Sequence, residues 1–203
     1  MIDNNAVKIK VFLKKKKKEI NLYNAAYELF KEKGINNTSI DEIVKKAGVA
    51  KGTFYLYFKD KYDVVNKLVL LKSSILIEEA FNATKDNEFE EFEDMVLYFI
   101  KYIIDYFKEH KLLLRVINKN FSYVIHKDTE FMGQNEKVQK IIEIFLSELK
   151  NRGLSEQESK ITLFMIIELV GSVCYSSIIL NEPDDIEVIK PILFKKIRMI
   201  LNS

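Results

Sequence analysis

Residues 41–61 read DEIVKKAGVAKGTFYLYFKDK, and their reading decides the fold. Ile40, Ile43, Val44 and Ala47 recur at spacings of three, four and seven, so a short helix here buries one face. Gly48 can end that helix in the left-handed conformation, and Val49 can plug the turn into a core. A second helix is expected from about Ala50 to Phe58, with Phe54 and Phe58 inward at i,i+4. Left outward around Gly52 are Lys51, Thr53, Tyr55, Tyr57 and Lys61. An enzyme pocket, a core and a nucleic-acid grip could each gather such residues, and the rest of the chain has to choose.

Composition narrows the choice. The chain has 203 residues, with only 6 glycines and 2 prolines. An all-β fold needs many turn residues, whereas the long apolar stripes here recur with the period of a helix. The expected class is therefore all-α. Net charge is +2, but it is unevenly placed. Residues 1–61 hold 14 lysines, no arginine and 7 acidic residues, a net of +7 that leaves −5 for the remainder. A basic head on an acidic body suggests an anionic partner at one end.

Other classes fade. Cys174 is the single cysteine, so no intrachain disulfide is possible, and its apolar neighbours read as those of a buried thiol. His110 and His126 lie 16 apart with no compact His/Glu motif, so no metal site or cofactor is expected. No glycine loop for phosphate and no nucleophile elbow is present, which argues against an enzyme. No uninterrupted apolar run approaches the roughly 20 residues that span a bilayer. VFL precedes KKKKK at the N-terminus, the reverse of a secretory signal. A cytoplasmic protein without a membrane partner is the expectation.

Outward from the opening stretch, helices follow one another. Residues 1–17 read as frayed or loosely helical, with the five lysines at 14–18 repelling each other unless an anionic surface such as DNA lies near. A helix from Glu19 to Lys33 carries Leu22, Ala26, Leu29 and Phe30 on one stripe and closes at Gly34. The next opens at Thr38 or Ser39, with Thr38 a plausible N-cap and Asp41 and Glu42 in its first turn. Asp60 can cap a fourth, running to about Ala83. Further helices are expected at about 88–107, 110–120, 134–151, 156–180 and 185–201. Ser155 and Glu158 form an S-x-x-E cap before the fourth of these, and Pro191 must sit early in the last or bend it.

Two short helices joined by a glycine turn make a helix-turn-helix, whose second helix enters the major groove. Gly52 allows close backbone approach. Thr53 and Lys51 can read bases, and Tyr55, Tyr57 and Lys61 can hold phosphates. The competing reading is a helical protein-interaction or RNA-binding module, in which tyrosines stack on single-stranded bases.

The stretch NLYNAAYELFKEKGINNTSIDEIVKKAGVAKGTFYLYFKDKYDVV at 21–65 resembles the N-terminal domain of the TetR family of bacterial transcriptional regulators. The likeness rests on AAYELF, Gly34, Thr38, IDEIVKKAGV and KGTFYLYFKDK. It implies an all-helical dimeric repressor, with a DNA-binding domain at 18–62 and a ligand-binding and dimerisation domain at 63–203. It further implies that Lys51, Gly52, Thr53, Tyr55 and Tyr57 match recognition-helix contacts and that Thr38 and Lys61 match flanking phosphate contacts. Ala50 departs from the pattern, because a Ser or Thr is common there. The resemblance also implies release by a small molecule bound in the body and pairing through the last two helices. The many body aromatics, among them Phe81, Phe99, Phe107, Phe121, Tyr123, Phe131 and Phe145, suit an apolar or aromatic effector.

Overall fold

A computed structural model describes residues 4–117 and 135–202, with side chains from Phe12 onward. The expected helix at 110–120 runs partly beyond this range, and Phe121, Tyr123, His126 and Phe131 lie outside the described residues. Within it all regular structure is helical. The chain divides after Leu68 into two compact units.

The first unit holds α1 (Asn4–Lys33), α2 (Ile40–Ala47), α3 (Lys51–Phe54) and the start of α4 (Lys61–Lys85). α1 is longer than expected, because the lysine run continues the helix instead of fraying. Lysine loses little rotamer freedom in a helix, and all five side chains stay in water. Leu22, Ala26, Phe30, Ile43, Phe54, Phe58 and Val64 form the core. Phe58 meets Tyr23 edge-on at 5.0 Å and Phe54 at 5.3 Å. Burial, with help from Glu19 and Asp63, pushes the Tyr23 phenol up to about 12.

Ser39, not Thr38, caps α2. Its hydroxyl accepts from the Glu42 N–H at 3.3 Å, and the Glu42 carboxylate accepts from the Ser39 N–H at 2.9 Å. Thr38 is turned inward at 2% exposure, and its hydroxyl donates to the Gly34 carbonyl at 2.8 Å. A hydrogen bond from Lys33, followed by those from Ser39, lowers the Glu42 carboxyl to about 2. Gly48 takes φ +66°, and the Val49 N–H returns to the Val44 carbonyl at 3.0 Å. The second helix of the motif is shorter than expected. Regular α-helix stops at Phe54, and the chain reaches Phe58 through tighter bonds, Tyr57 N–H to Phe54 O at 3.0 Å among them. Asp60 caps α4 as expected, accepting from the N–H groups of Tyr62 and Asp63 at 2.8 and 2.9 Å.

The second unit contains the rest of α4, α5 (Phe92–Glu109), α6 (111–117), α7 (Glu136–Asn151), α8 (Glu156–Cys174) and α9 (Ile186–Leu201). α8 continues as a π-helical turn, Tyr175–Leu180. It packs against α5, α7 and α9, and α9 packs against α5. The Ser155–Glu158 cap forms as its spacing required. Pro191 sits in the second turn of α9. Arg152, at the end of α7, grips the buried Glu93 of α5. Burial pushes the Cys174 thiol up to about 12, which keeps it protonated and unreactive.

Glu156–Leu180 is a helix long and apolar enough to cross a membrane, with a hydropathy of 2.1. Thr162, Glu168 and Ser172 interrupt its apolar run, so counting consecutive residues overlooks it. Within α9, Ile197 is fully buried, whereas Ile192 is 60% exposed. Five residues along a helix differ by more than a quarter turn, so these two cannot share a face.

Candidate nucleic-acid interface and ligand chamber

The interface is built on two anchors. Phe54 is fully buried and Phe58 nearly so, and they hold the segment between them against the head's core. Residues outside that anchor line are forced to the surface. Tyr55 is 54% exposed, and Lys51 and Gly52 are also exposed. Thr53 and Tyr57 are half-buried. Ala50 provides no side-chain cap to α3, so the hydroxyl that a Ser or Thr would bring is absent.

Three polar groups in this surface have defined partners. The Lys51 ammonium pairs with Asp41 of α2, 2.8 Å from Oδ1 and 3.0 Å from Oδ2. This carboxylate raises the lysine above its ordinary range. Sequence reading gave Asp41 only a role at the α2 N-terminus, and nothing local signals the pair, because ten positions separate the partners. The Tyr57 hydroxyl donates to the Lys15 carbonyl of α1 at 3.0 Å. Lys61 donates to three carbonyls, those of Ile35, Asn36 and Thr38, at 2.9, 3.0 and 3.0 Å. Thr38 and Lys61 thus build the α1–α2 turn beside the exposed segment.

Gly52 has no internal reason to be glycine. Its φ is not positive, and a Cβ placed there would meet nothing within 4 Å. Glycine inside a helix costs about 0.5–1 kcal/mol relative to alanine. A position that keeps it without local need has room for something outside the chain.

The second unit encloses a chamber of about 230 Å³. α4 contributes Val69, Leu76 and Phe81, α5 contributes Phe99, Ile103 and Phe107, and α7 and α8 contribute Phe145 and Ile167. Among the described residues its wall has no charged side chain, and the polar groups they contribute are the hydroxyls of Ser73, Ser74 and Thr84. Of the body aromatics only some face it: Phe89, Phe92, Tyr98, Tyr102 and Tyr106 lie elsewhere. Phe92 instead meets Phe145 in a tilted ring contact at 5.4 Å and lies under Arg152. Sequence reading looked to aromatics and missed the isoleucine-rich α7 wall, although Ile141, Ile142 and Ile144 were a visible signal.

An apolar outer face remains on the last two helices. Ile161 and Met165 of α8 and Val188, Ile192 and Met199 of α9 are each about half exposed, between 47% and 60%. Each set follows one helical stripe.

Residues 22–68 match the model for bacterial regulatory proteins of the tetR family. An HTH-type transcriptional regulator of Staphylococcus aureus strain MRSA252 is 34% identical over 92 residues, 45% of this chain and 49% of that protein. The fatty acid metabolism regulator protein of Bacillus subtilis is 41% identical over 64 residues, 32% of this chain and 33% of that protein. The matched part spans about half the length of the curated relatives, or less. Over nearly the whole chain the fold is shared with solved structures. FadR from Bacillus subtilis, solved in complex with stearoyl-CoA, aligns with a TM-score of 0.62 at 20% identity, covering 88% of this chain and 97% of that one. FadR from Bacillus halodurans aligns with a TM-score of 0.60 at 19% identity, covering 92% and 95%.

Proposed function

We propose that this chain, whose residues 22–68 match the model for bacterial regulatory proteins of the tetR family, is a DNA-binding transcriptional regulator, a cytoplasmic repressor that grips a two-fold symmetric operator as a homodimer. In this reading residues 18–62 form the DNA-binding domain and 63–203 the ligand-binding and dimerisation domain. The observation that carries it is the exposed segment Lys51–Tyr57, held out by Phe54 and Phe58 with a needless glycine at its centre. Lys51 and Thr53 read base edges, and Gly52 lets the backbone close on the duplex. Tyr55, Tyr57 and Lys61 supply phosphate contacts, and Thr38 supports them.

The effector is an apolar molecule with a long hydrocarbon part. A chamber walled by isoleucine and phenylalanine, with three hydroxyls and no charge among the described residues, suits an acyl chain and leaves any anionic headgroup to seek water outside. The fold shared with a regulator solved in complex with stearoyl-CoA supports the same class. The second copy covers the stripe of Ile161, Met165, Val188, Ile192 and Met199, a contiguous apolar face of the kind that marks an interface.

Selection of bound sequences from a random duplex pool tests the core of the proposal. The wild type should return a two-fold symmetric site, and Thr53→Ala a blurred or shifted one. Calorimetry with stearoyl-CoA, with and without the selected duplex, tests release. Linkage requires an effector that weakens DNA binding to bind the DNA complex less tightly. Equal affinities would remove that ligand as an effector.

A further inference from the structure

The lysine run of α1 is left unused by the site described above. Lys14 to Lys18 are five consecutive lysines on one helix, and every side chain from Phe12 to Lys18 is exposed. At 100° per residue they surround the helix and form a collar rather than a face. Among the described residues the only ion pair in the run joins Lys16 to Glu19 at 3.8 Å. Among the described residues the buried anchoring of α1 begins at Leu22, and the collar side chains lie in water.

Such a segment is poorly stabilised by itself. Lys14–Lys17, Lys14–Lys18 and Lys15–Lys18 place like charges three or four apart, which opposes helix formation. A helical stretch of about 15 residues is marginal in water even without that repulsion. Polyanionic neighbours reverse the sign of the effect. The collar is also fixed in place, because Tyr57 of the recognition segment donates to the Lys15 carbonyl at 3.0 Å. The collar and the proposed base-reading residues therefore belong to one surface of the head.

We propose that the Lys14–Lys18 collar binds phosphates of duplex DNA next to the half-site read by the same head. This rests on the DNA-binding reading above. It adds a second, sequence-independent contact that lengthens the footprint and strengthens the salt dependence of binding. Phosphates carry no base code, so the collar raises affinity on every duplex alike. Each phosphate neutralised releases counterion and steepens the plot of log affinity against log salt by about 0.9. With the five lysines spread around the helix, two or three per head can face one duplex.

The test compares the full-length wild type with two variants in which all of Lys14 to Lys18 become Gln or all become Arg. Fluorescence anisotropy is followed between 50 and 200 mM salt on a random-sequence 40-base-pair duplex and on the pool-selected site. The expected result is a slope shallower by about 2 units per head for the Gln variant. Its affinity at the low-salt end should fall at least tenfold on both duplexes, with its selected motif unchanged. The Arg variant, which keeps the charge, should hold the wild-type slope. A Gln variant with the wild-type slope overturns the proposal. So does a Gln variant that keeps its slope but loses binding to phosphatidylglycerol vesicles, which would assign the collar to a lipid surface. A wild type that binds no duplex at any salt fails the DNA-binding reading itself, and the collar proposal with it. Unchanged slopes with duplex binding intact remove the collar alone.

Discussion

The ammonium of Lys61, at the first position of α4, lies 3.0 Å from the carbonyl oxygen of Thr38, the residue before the α2 cap. Two further carbonyls, of Ile35 and Asn36, converge on the same nitrogen. A residue that its position recommends as a phosphate contact is therefore also the clasp of the α1–α2 turn. Three charge-assisted bonds to backbone oxygen fix the ammonium in place, so it acts on a phosphate through its charge rather than through a further donated hydrogen.

Lys61→Ala should therefore cost stability as well as affinity. The loss is about 1–3 kcal/mol, since three carbonyls lose a charged donor but can partly turn to water. Urea unfolding reads it directly. Lys61→Arg should not restore it, because a planar fork cannot aim three donors at three converging oxygens. The salt slope of duplex binding should also fall by about one unit per head. Full stability in Lys61→Ala would show that the clasp is ornamental.

Gly52→Ala separates folding from binding. A Cβ there meets nothing in the head, and helix propensity improves, so stability should stay level or rise by up to about 1 kcal/mol. Duplex affinity should fall, because the added methyl stands where the backbone approaches the groove. A variant that binds as tightly as the wild type would take Gly52 out of the interface.

Arg152 and Glu93 hold the body together. Nη1 donates to Oε1 at 2.7 Å and Nη2 to Oε2 at 3.0 Å, a bidentate pair with Glu93 at 4% exposure. Arg152→Ala leaves that carboxylate buried and unpaired, and should destabilise the protein by about 2–4 kcal/mol. The pair also predicts a pH dependence. The hydrogen bonds from Arg152 lower the Glu93 carboxyl below its ordinary value. Its contribution is therefore complete above the unfolded-state value of about 4.3 and is lost as pH falls through the lower folded value. Unfolding measured at pH 7 and at pH 3 should show the gap between wild type and Arg152→Ala shrinking in acid. A gap independent of pH would mean that the loss comes from packing on Phe92 and not from charge.

Ile192 and Ile197 provide an internal control for the dimer. Ile192→Asp puts a charge on an exposed stripe and should yield a folded monomer by light scattering and circular dichroism. Ile197→Asp puts the same charge in the protomer's own core and should unfold it. A dimer that survives Ile192→Asp would place the seam elsewhere.

Much of this molecule was determined by the sequence alone. The periodic stripes of α5, α7, α8 and α9, the Ser155–Glu158 spacing, Asp60 before α4 and the glycines at 34 and 48 set the helices to within a few residues. Each is local physics: side chains three or four apart share a face, a short polar residue supplies a cap, and glycine accepts a left-handed turn. The outward residues of the recognition segment were legible for the same reason, because Phe54 and Phe58 had to point in.

Tertiary structure decided what depends on partners distant in sequence. Thr38 gave way to Ser39 as the cap because its hydroxyl could be buried against Gly34. Lys61 turned to carbonyls 23 to 26 residues away, and Lys51 to Asp41, ten residues away. Glu93 found Arg152 across 59 positions. Only the packing of α4, α5, α7 and α8 selected which aromatics wall the chamber and which fill the core. A stripe fixes which residues share a helix face, but not which other helix that face will meet.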